Sequence, residues 1–396
     1  MSLQCKRSFA IVSKVFVANL KKFAPIDVRD RVLRTSQALV SQNLRWTLLH
    51  NLTNIQWLTG FNGSAGVVLM DSTSGALHLF TDGRYVEQAL QQTKDAKAAV
   101  QVHHVATIAE RCGLIATLVG GATVFVSSAD VTVAQFETIQ EHFLVETTQQ
   151  HLVFAELRRI KDKPEMERIN NAAAIADEAL QRVVSAGLCG LTEKQIRNEI
   201  DRNMQDLGAD GVSFDTIVAT GTNAALPHHR PDSTVVMPGH LVVIDMGALV
   251  EGYHSDMTRT IKVGEPSPED LVVFDVVRKS QSAGVDAVAP GVSALDIDSA
   301  CRSIINEAGF GQYFTHGTGH GVGLLIHEEP FLNNRSQQVL LAGEVVTVEP
   351  GVYRGGVSGV RIEDLVEVTS NGCRVVSQTP KDLSCPPFQR TISKMA

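Results

Sequence analysis

The sequence predicts an α+β chain: a smaller N-terminal α/β domain, then a larger domain in which a curved antiparallel sheet is backed by helices. Three observations carry this expectation. Residues 27–150 alternate helical and strand-like runs. The second half contains strand–turn–strand units with helices between them. Four acids of that half, Asp245, Asp256, Glu349 and Glu363, lie in or beside apolar strand-like runs, and His320 stands among glycines.

The chain opens with a basic, partly apolar stretch over 1–26. Lys14 interrupts its apolar run and no clean small-residue cleavage site follows, so it reads as an N-terminal extension rather than a signal peptide. Between 27 and 155, DVRDRVLRTSQALVSQ, RYVEQALQQT and IAERCGLIATLVG carry the spacing of helices. RWTLLH, GVVLM, ALHLF, AVQVHHV and TVFVSS are short apolar or alternating runs and read as strands. Asp82 is read as the cap of the helix that follows it.

The charged segment ELRRIKDKPEMERIN marks the entry to the second domain, 156–396. Pro164 suits a first helical position, and a long helix follows through NNAAAIADEALQRVVSAG. Thr192 and Gln195 have capping-box spacing. Ser267 opens a helix in SPEDLVVFDVVRK, Ser293 opens another in SALDIDSACRSIINEAG, and Gly309 can end the second.

Between these helices stand the acid-bearing ribbons. The apolar run that opens LVVIDMG ends in Asp245, and the chain returns as YHSDMTRTIKV with Asp256. A hairpin centred between Val250 and Glu251 sets the two aspartates directly opposite. EVVTVE and VRIEDLV flank RGGVSG, and Glu349 and Glu363 are symmetric about Gly356. Opposed carboxylates destabilise a sheet, and a cation between them reverses that sign. Two such pairs look like a degenerate internal repeat. Four carboxylates and one imidazole form a hard, oxygen-rich set that favours manganese, cobalt or iron(II) over a thiolate zinc site. Four negative charges balance two divalent ions, and a water between such ions becomes a nucleophile near neutral pH. The implied chemistry is metal-assisted hydrolysis.

The runs VVIDMGA, HSDMTRT, HGTGHGVGLLIHEEP, VTVEPGVY and VRIEDLV, in that order, resemble the pita-bread metallopeptidases. That group includes methionine aminopeptidase, aminopeptidase P, prolidase and the metal-free creatinase. The resemblance covers roughly 155–390. It implies that Asp256 and Glu363 bridge two ions, that Asp245 holds one, and that His320 and Glu349 hold the other. It also implies an active-site histidine at His228 in GTNAALPHH, a second at His327, an arginine of the same pocket at Arg361, and a proton-shuttling role for Glu349. Manganese is the first expectation, with cobalt, iron or zinc as alternatives.

NIQWLTGFNGSAG and TDGRYVEQA resemble the N-terminal domain of the prolidase, aminopeptidase P and creatinase members. This implies a homodimer and makes Asp82, Arg84 and Tyr85 structural or gating candidates. The implied activity is a proline-specific exopeptidase that cuts before proline, with Xaa-Pro dipeptides preferred over longer peptides. A creatinase-like amidohydrolase and a ligand-poor binding module are the rival classes. His316 reads as a residue behind the ligands, because GTG between it and His320 does not suit a helix. His254 alternates with Asp256 on one strand and is left unassigned.

Composition narrows the partners. With 396 residues the chain is long enough for two or three domains. Its 35 basic and 43 acidic residues give a net charge of −8, which argues against nucleic acid as the main partner. The six cysteines show no C-x-x-C spacing and read as reduced thiols, consistent with a cytoplasmic protein. No apolar run approaches the ~20 residues of a membrane span.

Overall fold

The computed structural model describes residues 23–387. The expected extension over 1–26 therefore lies almost wholly outside the described residues. The first body is built on a six-stranded mixed sheet. Its order is Val100–His104, Ala76–Thr81, Val67–Asp71, Trp46–Leu49, Val124–Ser127 and Val145–Thr148. Trp46–Leu49 is buried along its whole length and pairs antiparallel with Val67–Asp71 and parallel with Val124–Ser127. Helices Arg29–Ser41, Val86–Asp95 and Ile108–Val119 fall where the apolar spacing places them.

Three further helices were not expected: Leu52–Thr59, Val133–Gln140 and Gln150–Arg159. The Asp82 expectation is corrected as well. The helix there begins at Val86 with Tyr85 at its cap, and the Asp82 carboxylate instead accepts from the backbone and side chain of Arg84.

Gln150–Arg159 leads into the long helix Lys163–Ala186. Asp162 caps that helix reciprocally with Glu165, and Pro164 lies in its first turn. Its buried stripe, including Ile169, Ala172, Ala176, Leu180 and Val183, recurs every three to four residues. With the capping-box helix Glu193–Asp206 it covers a four-stranded sheet of order Leu383–Cys385, Met257–Val263, Leu241–Met246, Ile217–Thr220. A five-stranded sheet follows the order Glu328–Leu332, Gly319–Gly321, Val345–Val348, Asp364–Thr369, Gly372–Val375. Helices Pro268–Ala287 and Ala294–Glu307, capped by Ser267 and Ser293, pack on it through Val273, Val277, Ile297 and Cys301. Sheets and helices are thus segregated, the α+β arrangement expected.

The register of the first ribbon differs from expectation. Val250 pairs with Tyr253, Leu249 with His254, and Asp245 with Thr258 rather than Asp256. The turn is Glu251–Gly252, and both residues have left-handed φ of +46° and +85°. Such a two-residue turn matches the twist of its strands. It moves the centre of the hairpin by one residue, so Asp256 sits diagonally from Asp245. Because side chains alternate with period two, both still face the same side.

In the second ribbon Val348 pairs with Asp364 and Gly351 with Arg361. The centre is Gly356, and Glu349 stands across from Glu363. Both ribbons lose their regular ladder at the acid rung, around Asp256 and around Glu349 and Glu363.

Candidate metal centre

Where the ladders break, backbone groups cross between the ribbons. Glu363 N–H donates to the Thr258 carbonyl at 3.1 Å, and Glu349 N–H donates to the Thr318 carbonyl at 2.7 Å. Thr260 Oγ1 donates to the Arg361 carbonyl and accepts from Arg361 N–H. The two acid rungs are therefore joined by one main-chain bond and by the Thr260 hydroxyl, while Glu349 is tied to the segment that carries His320.

His320 reaches the same place because its neighbours have no side chains. A Cβ at Gly319 would collide with the Thr347 carbonyl, and one at Gly321 with the Glu329 carbonyl. His320 Nδ1 lies 3.0 Å from the Gly321 carbonyl, so the ring donates there and presents the Nε2 lone pair to the acids. Nε2 is 3.4 Å from Glu349 Oε1 and 3.6 Å from Asp256 Oδ2. Ligand atoms of Asp256, His320 and Glu363 all lie within 4.8 Å of one another.

The electrostatics describe a site short of positive charge. Burial, then the charges of Glu363, Asp245 and Glu349, push the Asp256 carboxyl well above its ordinary range. Glu363 is raised by burial, then by Glu349 and Asp245. Glu349 is pushed up to about 8 by burial, against the pull of Arg361 and helped by Asp245. Burial takes His320 down to about 4, which keeps its imidazole neutral and able to ligate. Asp245 Oδ2 accepts from Arg361 at 2.7 Å, while its buried Oδ1 has no hydrogen-bond partner among the described residues. Orphaned and mutually raised carboxylates beside a free imidazole lone pair fit divalent cations, and by charge they fit two.

These five side chains line one cavity of about 480 Å³, together with His228, His316, His327 and Arg361. The His327 ring meets that of His320 edge-on at 4.4 Å. His316 reaches the cavity wall, but both of its ring nitrogens are engaged: Nδ1 donates to the Gly317 carbonyl, and Nε2 accepts from the Tyr353 hydroxyl at 2.9 Å. His254 is turned aside onto Ser213 at 2.8 Å. Tyr353, Thr258 and Arg230 were missed in the sequence. Tyr353 and Thr258 bond Arg361, and Arg230 lines the cavity. Thr258 and Tyr353 stand inside the runs HSDMTRT and VTVEPGVY, which could have pointed to them, whereas no local pattern marks Arg230.

Comparisons with known proteins show which family the chain falls in. Residues 167–370 match the model of metallopeptidase family M24. The chain belongs to that family. Residues 31–160 match the creatinase/prolidase N-terminal domain. The chain is 36% identical over 340 residues to an uncharacterized peptidase, YqhT, of Bacillus subtilis, covering 85% of this chain and 94% of that one. The solved Xaa-Pro dipeptidase of Bacillus anthracis superposes with a TM-score of 0.85 at 35% identity, over 90% of this chain and 99% of that one. An X-Pro aminopeptidase from Thermotoga maritima superposes with a TM-score of 0.79 at 31% identity, over 88% and 99%. The M24 chain is a hydrolase of the metallopeptidase class with the pita-bread fold. Among the described residues no helix is long and apolar enough to cross a membrane.

Proposed function

We propose that this M24 peptidase is a dinuclear exopeptidase that hydrolyses the bond before proline, with Xaa-Pro dipeptides as its first substrates. The observation that carries the reading is the convergence of Asp245, Asp256, His320, Glu349 and Glu363 on one cavity wall. Asp256 and Glu363 would bridge two ions, Asp245 would hold one, and His320 and Glu349 the other. When bound, such ions supply Lewis acidity, which polarises a carbonyl and activates water.

The chain's own groups supply the rest. The Xaa-Pro bond is a tertiary amide without N–H, and its ring fixes φ. A peptidase for it must therefore work without gripping a backbone donor at that point. His228 and His327 would donate to the developing oxyanion, a contribution of about 3 kcal/mol for one such donor. Glu349 would take a proton from the attacking water and return it to the leaving imino nitrogen. Arg361 would hold Asp245 and complete the pocket. Arg230 lines the same cavity, and among the described residues no ion pair engages its guanidinium. It is suited to a free C-terminal carboxylate, which favours dipeptides.

Cleavage of longer Xaa-Pro peptides is the second reading, favoured by the likeness to the Thermotoga structure. A creatinase-like amidohydrolase is a third, against which the full ligand set stands. The proposal further takes manganese as the ion, a homodimer as the assembly and the cytoplasm as the compartment. It places the two domains at 27–155 and 156–396, a division that falls within helix Gln150–Arg159.

The test is hydrolysis of Ala-Pro and Ala-Pro-Ala by purified protein with added manganese, alongside metal analysis. Two ions per chain and faster cleavage of Ala-Pro are expected. Equal turnover by metal-free protein would overturn the reading.

A further inference from the structure

Glu193 occupies the first position of helix Glu193–Asp206 and is fully buried. A buried carboxylate is costly unless its oxygens are matched, and here each oxygen accepts twice. Oε1 accepts from Thr220 N–H at 2.8 Å and from Asn223 Nδ2 at 3.0 Å. Oε2 accepts from His229 Nε2 at 2.7 Å and from Asp232 N–H at 3.0 Å. All four donors belong to the end of strand Ile217–Thr220 and the loop that follows it. The backbone adds to the seam: Glu193 N–H donates to the Thr234 carbonyl at 3.0 Å, and Lys194 N–H to that of Asp232 at 3.1 Å. Asn223 also donates to Thr234 Oγ1, which closes the loop on itself.

That loop carries His228, which lines the cavity. His229, the next residue, is the one tied to Glu193. It also carries Pro227, whose carbonyl accepts from Arg361 at 3.4 Å. Ligand atoms of Glu193, His229 and Asp232 are close enough to resemble an ion site. The Glu193 oxygens, however, are already filled by four donors, so the trio is closed by its own hydrogen bonds.

We propose that Glu193 and His229 form a clamp that positions His228 for the reaction, with Glu193 as its fixed end. Glu193 itself lies outside the cavity lining and touches no reacting atom. It acts by limiting how far the His228 segment can move, and misplacement by an ångström is enough to slow a positioned donor. The proposal rests on the catalytic role given to His228 under Proposed function.

The test uses Glu193→Gln in the full chain. The amide keeps the shape, but its single carbonyl oxygen can serve only one pair of the four donors, and its NH2 group then faces the other pair. The expected result is a fall in kcat on Ala-Pro of about 10- to 100-fold, the range for groups behind the reacting shell. Metal content should stay near wild type. In the His228→Ala background the same change should have no further effect on kcat, because the clamp then has nothing to position. A purely structural role would instead multiply the two losses, and that outcome overturns the proposal. If Glu193→Gln does not fold, Asn223→Ala removes one donor that lies outside the cavity lining and is read by the same cycle.

Hydrogen exchange across residues 221–234 gives a readout that needs no activity. It should quicken in Glu193→Gln whether or not Ala-Pro is the substrate. Unchanged exchange sinks the clamp, whereas absent turnover in wild type sinks only the substrate reading.

Discussion

The guanidinium of Arg361 lies 2.7 Å from Asp245 Oδ2, and this contact joins the two ribbons at their acid rungs. Its other donors extend the link. Nε donates to Thr258 Oγ1 at 3.0 Å, and that hydroxyl donates to Glu363 Oε2 at 2.6 Å. Nη1 donates to the Tyr353 hydroxyl at 2.9 Å, which donates in turn to His316. One planar cation therefore orients an acid from each ribbon.

Arg361→Lys should lower kcat/KM on Ala-Pro by about tenfold or more, because an ammonium cannot reproduce the rigid fork to Asp245, Thr258 and Tyr353. Arg361→Met should cost about 3–5 kcal/mol in urea unfolding, the penalty for stranding a buried partner. Wild-type kinetics in the lysine variant would show that the fork is dispensable.

The acid rungs were legible because charge inside apolar, strand-like runs has few bland explanations. The second ribbon was legible because RGGVSG is a symmetric glycine-rich turn. The first was misplaced by one residue because Glu251, a non-glycine, takes a left-handed φ that no composition rule marks. Helix Leu52–Thr59 has readable signals, Asn51 accepting at its N-cap and Gly60 ending it at φ +78°, but its eight residues are too few for a helical apolar period to stand out. The clamp was illegible for a different reason. Glu193 and His229 are 36 residues apart, and only the tertiary path of the loop brings them together.

Glu328 follows His327 and ties it to the N-terminal body. Lys161 Nζ donates to its Oε1 at 2.7 Å and Arg158 Nε to its Oε2 at 3.4 Å, while Arg158 also donates to Asn54 Oδ1. Glu328, Lys161 and Arg158 are all buried. Lys161→Met should cost about 3 kcal/mol in urea unfolding and lower kcat, since the strand beginning at Glu328 sets the position of His327. Unchanged kcat in a destabilised variant would separate the network from the site.

Gly252 holds the register of the first ribbon. It has φ +85°, and a Cβ there would lie 2.7 Å from Gln56 Nε2. Gly252→Ala should therefore destabilise the chain by about 1–3 kcal/mol, measured as a lower urea midpoint. A neutral result would mean that the turn relaxes without cost.

The crowded carboxylates make stability depend on pH in a direction opposite to the histidines. Asp256, Glu349 and Glu363 have folded pKa values above their unfolded ones, Glu349 near 8 against 4.5. The folded chain then binds more protons than the unfolded chain, so the stability these groups hold at low pH is lost as pH rises toward 8. His316 and His320, pushed down to about 4 from 6.5 by burial, act the other way, and their contribution is complete above 6.5. Between pH 6.5 and 8 only the carboxylates remain. Protein stripped with EDTA should lose stability across that window, by about 1.4 kcal/mol per pH unit for each proton released. Manganese, the ion proposed for the site, should replace those protons, so the loss should vanish in its presence, and Glu349→Gln should shrink it without metal. Urea midpoints that rise from pH 6.5 to 8 in stripped protein would show that burial and the neighbouring acids do not hold protons on these carboxyls.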